Sequence, residues 1–175
     1  MHRLLLLFLF YISIQIQIFS QVGFTVNSLE DDAQSHAWDD PNTSAIESED
    51  GICKDENGRC TIRAAIEEAE NMNTSVNLSF SVNGTINLID YLFLPDGSSM
   101  EGNNQIALAG IQPVTIENNC TIQGIRFQDA IVGLNVTGSG NNIGTIGGNY
   151  NEFVNCASTG IVITGTGNKV YNNYF

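Results

Sequence analysis

The sequence predicts an all-β protein, a right-handed parallel β-helix with an N-terminal amphipathic capping helix. Two observations predict the β-helix. A 27-residue repeat lies near the end of the chain, and residues 71–175 are rich in Gly, Asn, Thr, Ile and Val. This composition suits short strands joined by tight turns. A third observation, one short amphipathic helix before this region, predicts the cap.

The repeat consists of two copies of the same pattern of strand, Gly-rich turn and Asn. GLNVTGSGNNI begins at Gly133 and GIVITGTGNKV begins at Gly160, and the apolar positions stay apolar. A weaker copy, VTIENNCTIQGIRF, begins at Val114. One such unit cannot bury its own apolar face, but units stacked about 4.8 Å apart build a continuous core. A β-sandwich uses similar strands and turns, but it predicts no repeat of this length.

Asn141 and Asn168 occupy the same position in the two copies. Asn tolerates the left-handed backbone conformation, and its amide can form hydrogen-bonded ladders between stacked coils. Both residues are therefore predicted to be structural.

The helix is predicted in CTIRAAIEEAENM, which begins at Cys60. Thr61 can act as its N-cap. The helical spacing gives one apolar stripe of Ile62, Ala65, Ile66, Ala69 and Met72, with Arg63, Glu67, Glu68 and Glu70 on or near the opposite side. So short a helix needs an apolar partner, and the exposed first coil of a solenoid supplies one.

Residues 1–20 read as a signal peptide, with Arg3 in a charged segment, an apolar run after it and a cleavage point near Ser20. The alternative is an uncleaved membrane anchor, but the apolar run is shorter than the roughly 20 residues that span a bilayer. The sequence thus predicts a secreted or cell-surface protein, with no membrane insertion after cleavage.

The predicted mature chain has 5 basic and 19 acidic residues, a net charge of −14. Nucleic acid is excluded as a partner, because phosphate binding requires clustered basic residues. Most of the acidic residues lie in residues 21–70. This region contains Asp31, Asp32, Asp39, Asp40, Glu49, Asp50, Asp55 and Glu56. We interpret the segment as a solvated acidic loop; Ca²⁺ binding is the alternative, although no EF-hand pattern occurs.

Cys53 and Cys60 flank KDENGR, in which Asn57-Gly58 is a turn signal. In an exported chain this pair is predicted to form a disulfide. Cys120 and Cys156 lie in apolar, strand-like surroundings, and either two buried thiols or a second bridge fits them.

FTVNSLEDD, followed by EDGICKDENGRCTIRAAIEEAENM, resembles the CSLREA domain, an N-terminal module of exported proteins. The stretch that names this family, Cys-Ser-Leu-Arg-Glu-Ala, corresponds here to Cys60, Thr61, Ile62, Arg63, Ala64 and Ala65. The later strands are similar to the pectate-lyase-like β-helices that follow this module. Together with this resemblance, the sequence predicts a signal peptide at 1–20, a CSLREA-like cap at 21–75 and β-helix coils at 76–175. The chain stops at Phe175 in mid-repeat, which predicts that the coils are truncated at the C-terminus. Arg63 is predicted to be structural, pairing with carboxylates or carbonyls of the loop.

No catalytic, cofactor or metal site is predicted. Charged side chains in residues 114–175 are scattered singly, and Arg126 is interpreted as a surface residue rather than a catalytic base. His36 stands alone in a polar loop. Hydrolysis needs paired carboxylates, which these coils lack. The favoured function is a structural or binding role, such as polysaccharide or cell-surface adhesion; the alternative is a polysaccharide lyase or glycoside hydrolase whose active site lies on coils beyond residue 175.

Overall fold

The computed structural model describes residues 21–32, 51–111 and 114–175. The predicted signal peptide, His36 and the acidic residues Asp39, Asp40, Glu49 and Asp50 lie outside this part of the chain. Its elements are β1 (Gln21–Val26), α1 (Ile62–Asn71), β2 (Ser75–Phe80), β3 (Gly84–Asn87), β4 (Leu92–Leu94), β5 (Ser99–Ala109), β6 (Val114–Ile116), β7 (Thr121–Gln128), β8 (Val132–Val136), β9 (Asn142–Ile143), β10 (Glu152–Val154), β11 (Thr159–Ile163) and β12 (Lys169–Val170).

The strands form two parallel sheets, which agrees with the all-β prediction. The larger sheet has the order β1-β2-β5-β7-β9-β12, with β3 beside β5 and β10 beside β7. The smaller sheet has the order β11-β8-β6-β4. The chain alternates between the two sheets, and we call each stretch that visits both sheets once a passage. Strands pair with strands of the neighbouring passage.

Near the end of the chain, residues that are 27 positions apart pair in neighbouring strands, at the same offset as the repeat. Leu134 pairs with Ile161, and Ile143 pairs with Val170. Earlier passages are shorter, since Leu78 pairs with Met100 and Met100 with Ile122. Apolar side chains in register therefore form continuous inward rows, which make the core.

An aromatic row runs through the same core. Phe127 stacks on Phe153 with ring centroids 5.1 Å apart, and Phe153 stacks on Phe175 at the same distance. Phe127 and Phe153 are buried, whereas Phe175 in the last passage is 79% exposed. The stacking contributes to strand register because it requires these rings to be in line.

Helix α1 covers one end of the sheets, where it contacts β1, β2 and β4. Thr61 is its N-cap, as predicted, and its hydroxyl accepts a hydrogen bond from the Ala64 N–H at 3.0 Å. The predicted apolar stripe is buried from Ile62 to Ala69. Including Met72 in that stripe was wrong, because Met72 is the C-cap of the helix and the residue is 36% exposed.

Glu68, which the helical spacing places on or near the side opposite the apolar stripe, is fully buried as well. The segment around the disulfide covers this side of the helix, and the Gly51 N–H donates to Glu68 Oε1 at 2.7 Å. Helical periodicity could not reveal this contact, which depends on where a distant loop folds.

The predicted disulfide between Cys53 and Cys60 is present, with Cα atoms 5.0 Å apart. The turn between them closes through a hydrogen bond from the Gly58 N–H to the Asp55 carbonyl at 2.9 Å. Cys120 and Cys156 are free thiols. Burial raises the pKa of both thiols, so they are poor nucleophiles at neutral pH.

Replacing Cys53 and Cys60 together by Ser is expected to lower the free energy of unfolding by roughly 2–4 kcal/mol, because the unfolded chain gains freedom. Urea unfolding of the oxidised wild type and the double variant measures this difference. Cys156→Ser is the control, since it removes a thiol but no bridge. Equal stability of the double variant and the wild type would contradict the prediction.

Candidate functional site

One outward-facing row of side chains crosses the larger sheet. In it, Thr85 pairs with Ala107, Ala107 with Arg126, Arg126 with Glu152, and Glu152 with Tyr174. Adjacent residues in the same strands, among them Ile86, Leu108, Phe127 and Phe153, are buried. Because side chains alternate along a strand, the row faces away from the core. The five positions of the row are separated by four inter-strand spacings, so the row is about 19 Å long.

A loop rises beside this row because β5 and β7 differ in length at one point. Four residues, 102–105, lie between Glu101 and Ile106 in β5, whereas only Gly124 lies between their partners in β7. We call residues 102–105 the bulge loop. Asn103 and Asn104 have φ of 52° and 58°, in the left-handed region that Asn tolerates. A Cβ on Gly124 would lie 2.7 Å from the Asn103 nitrogen, so a glycine is required beneath the loop.

Glu101 fixes the bulge loop to the segment 144–151. Its Oε1 accepts hydrogen bonds from the Asn103 N–H at 3.0 Å and from Asn149 Nδ2 at 2.7 Å. Its Oε2 accepts from the side-chain amide of Gln123. Asn104 Nδ2 also donates to Asn149 Oδ1 at 3.2 Å. These hydrogen bonds stabilise the conformation of the bulge loop, which forms one side of the site.

The bulge loop and the outward row enclose a shallow polar groove. One recess of about 210 Å³ and a smaller one of about 30 Å³ adjoin at Asn104 and Arg126. Ala107 lines the larger recess, and its small side chain leaves space between Thr85 and Arg126. We refer to this site as the groove; its polar and aromatic lining is Asn83, Thr85, Asn104, Gln105, Arg126, Tyr150 and Glu152.

The charges in the groove neutralise each other. Arg126 Nε lies 2.5 Å from Glu152 Oε2, and the two side chains are 52% and 32% exposed. Tyr150 lies beside this pair and is 37% exposed. Its ring packs edge to face on Tyr174, with centroids 4.6 Å apart. An aromatic surface thus borders an ion pair that carries no net charge.

The groove suits binding better than hydrolysis. General acid–base cleavage of a glycosidic bond requires two carboxylates on opposite sides of the bond. Among the described residues that line the groove, Glu152 is the single carboxylate, and it binds Arg126. The amides, hydroxyls and tyrosine ring can instead form hydrogen bonds and apolar contacts with a ligand.

Arg63, predicted to be structural, lies away from the groove in the cap. Its Nη2 lies 2.7 Å from Asp31 Oδ2, and its guanidinium donates to the carbonyls of Asp90 and Tyr91 at 3.2 and 3.3 Å. A second arginine, Arg59, binds Asp32 and Asp55, both at 2.6 Å. Hydrogen bonds from Arg59 and Asn57 hold the pKa of Asp55 below its usual value, although burial acts to raise it.

Three described acidic residues of the predicted loop therefore bind arginines, namely Asp31, Asp32 and Asp55. Residues 21–32, 51–111 and 114–175 contain no group of three or more His, Cys, Asp or Glu that could hold a metal ion.

Asn141 and Asn168 form part of a polar ladder that links successive passages. Asn141 Oδ1 accepts from the Cys120 N–H at 2.8 Å, and Asn168 Oδ1 accepts from the Asn141 N–H at 2.9 Å. Ser98 takes the same role earlier, since its Oγ accepts from the Val76 N–H at 3.0 Å. At each of these positions, between two strands, a side-chain oxygen accepts the hydrogen bond of a backbone N–H in place of a backbone carbonyl.

Sequence reasoning missed the groove. Arg126 was interpreted as an isolated surface residue, but Glu152, 26 residues later, binds it. The repeat length could have revealed this pair, because residues about one coil apart become neighbours. No comparable signal exists for Asn149 and Tyr150, whose loop belongs to neither copy of the repeat.

Comparisons with models of protein families, with curated proteins and with solved structures gave no match to this chain. The resemblance to the CSLREA domain stays a prediction, and no relative assigns a role to the groove. Where the structure describes the chain, no helix is both long and apolar enough to cross a membrane.

Proposed function

We propose that this chain is a secreted or cell-surface binding protein, built as a right-handed parallel β-helix, whose groove binds a polysaccharide. Three features support the β-helix. The chain alternates between two parallel sheets, each strand pairs with the preceding passage, and inward apolar rows stay in register. The polar ladder through Asn141 and Asn168 supports the same arrangement.

Secretion is supported by the predicted signal peptide and by the disulfide between Cys53 and Cys60. Disulfides persist in oxidising compartments and are rare in the cytosol. The resemblance of the cap to the CSLREA domain points to export as well.

The observation that carries the binding proposal is the groove itself. Amide and hydroxyl side chains line it beside Tyr150, which is partly exposed, and Glu101 binds the bulge loop that forms one side. Sugars present hydroxyls that both donate and accept hydrogen bonds, together with apolar ring faces that pack on aromatic rings. A fixed loop reduces the entropy that binding must remove.

Tyr150→Ala is expected to weaken polysaccharide binding at least about tenfold, equivalent to about 1.4 kcal/mol. Binding is first located on an array of oligosaccharides and then measured by titration calorimetry. Tyr91→Ala is the matched control, because Tyr91 is 60% exposed and does not line the groove.

Unfolding temperatures should show that both variants fold. Retention of full affinity by Tyr150→Ala, or equal losses in both variants, would contradict binding in the groove. Release of reducing ends from a bound oligosaccharide by the wild type would replace the binding role with the lyase or hydrolase alternative.

A further inference from the structure

We infer that the groove selects an uncharged polysaccharide over one built from uronic acids. This inference rests on the proposed polysaccharide binding and names the class of ligand. Arg126 is the one basic residue among the described residues that line the groove, and its Nε already binds Glu152, which offsets its charge. A ligand carboxylate would have to displace Glu152 or lie beside it, where like charges repel.

The surroundings add to this selectivity. Glu101 lies directly behind the bulge loop and carries a second carboxylate close to the groove. Arg59 and Arg63, the other arginines of the described chain, bind aspartates in the cap. The predicted mature chain carries a net charge of −14. Such a field slows the approach of a polyanion and leaves an uncharged chain unaffected.

The free hydrogen-bonding groups of the groove match hydroxyls rather than carboxylates. Within the described residues, the side chains of Asn83, Thr85 and Gln105 have no hydrogen-bond partner, although they line the larger recess. Amides and hydroxyls offer donors and acceptors together. A carboxylate uses donors only, and charged donors bind it best.

The shape of the groove favours a polymer over a single sugar. The row crosses four strands, β3, β5, β7 and β10, and ends at Tyr174, which forms a bridge with Glu152. Its length is about 19 Å. Ala107, 8% exposed, keeps the floor low near one end, and Tyr150 and Tyr174 form an aromatic border near the other. An extended chain can therefore contact both the recess and the aromatic border.

The test compares two ligands with the same backbone and different charge: oligogalacturonate and its fully methyl-esterified form. The wild type is expected to bind the esterified oligomer at least about tenfold more tightly. This affinity should change less than about twofold when salt is raised from about 50 to about 500 mM, because no net charge is matched on binding.

Glu152→Gln frees Arg126 without changing the size of the side chain. It is expected to raise the affinity for oligogalacturonate at least about tenfold, and the gain should disappear in high salt. Glu117→Gln is the matched control, because Glu117 is exposed and does not line the groove. It removes the same charge from the protein and leaves the pair of Arg126 and Glu152 intact.

A wild type that prefers oligogalacturonate, with salt-sensitive affinity, would overturn the inference and leave the proposed function standing. The same holds if Glu152→Gln gains no more than Glu117→Gln. Absence of wild-type binding to any uncharged or acidic oligosaccharide on the array would contradict the proposed function itself. The wild-type salt dependence decides the question even if Glu152→Gln fails to fold.

Discussion

Replacing Arg63 by Met is expected to lower the free energy of unfolding by about 3–5 kcal/mol at neutral pH, the usual cost of leaving one member of a buried ion pair alone. Arg63 and Asp31 lie 2.7 Å apart, and their side chains are 14% and 0% exposed. Met keeps the apolar stem of the arginine, so the loss comes mainly from the unpaired carboxylate.

The position of this pair explains why its loss should affect the whole cap. Asp31 Oδ2 also accepts a hydrogen bond from the Ile89 N–H at 2.8 Å, and Arg63 donates to the carbonyls of Asp90 and Tyr91. Two side chains therefore join the N-terminal segment, helix α1 and the turn at 89–91. Urea unfolding at pH 7 measures the loss.

The loss should be smaller in acid. Burial raises the pKa of Asp31, and the hydrogen bond from Arg63 partly offsets this effect. A raised folded-state pKa gives stability that is present below the unfolded-state pKa and lost as pH rises through the folded-state pKa. Removing Arg63 raises the pKa of Asp31 further, so the deficit relative to the wild type should shrink as pH falls from 7 toward 4. A deficit that does not change with pH would show that the carboxylate is not its source.

Arg126→Met is the matched control for Arg63→Met. It also breaks an arginine–carboxylate pair, but those side chains are 52% and 32% exposed. Exposed pairs contribute about 0–1 kcal/mol. Equal losses in the two variants would contradict the argument from burial.

The sequence could predict those parts of the fold that depend on local or periodic signals. Thr61 begins the helix because its hydroxyl meets an N–H three residues later. The bridge between Cys53 and Cys60 closes over a short turn. The repeat at Gly133 and Gly160 is periodic, and the structure pairs its strands at that offset.

The rest of the structure depends on contacts between distant segments, which no local pattern encodes. Asp31 meets Arg63 across 32 residues, and Gly51 meets Glu68 across 17. The groove depends on one irregularity between Glu101 and Ile106. A sequence shows Gly and Asn at such a place, but it does not show which loop rises there or which side chains it will face.

Asn141→Ala is expected to lower the free energy of unfolding by about 2–5 kcal/mol, because it leaves the buried Cys120 N–H and the part-buried Glu117 carbonyl without their partner, at about 1–3 kcal/mol each. Asn141 is fully buried. Its Oδ1 accepts from the Cys120 N–H at 2.8 Å, and its Nδ2 donates to the Glu117 carbonyl at 2.6 Å. An alanine methyl group replaces neither bond, and water cannot readily reach the buried Cys120 N–H.

Two further variants, Asn168→Ala and Asn135→Ala, allow the loss of stability to be ranked by the burial and bonding of each side chain. Asn168→Ala removes the same kind of bonds, to the Asn141 N–H and the Gly138 carbonyl at 2.9 and 3.0 Å, but Asn168 is only half-buried. Water can replace part of what is lost there, so its cost should be about 1–2 kcal/mol. Asn135→Ala should change stability by less than about 0.5 kcal/mol, because in the described chain the Asn135 side chain has no hydrogen-bond partner. Urea unfolding of the three variants should give losses in the order Asn141, Asn168, Asn135. Equal losses in the three variants would contradict the argument that the buried hydrogen bonds of Asn141 determine the cost.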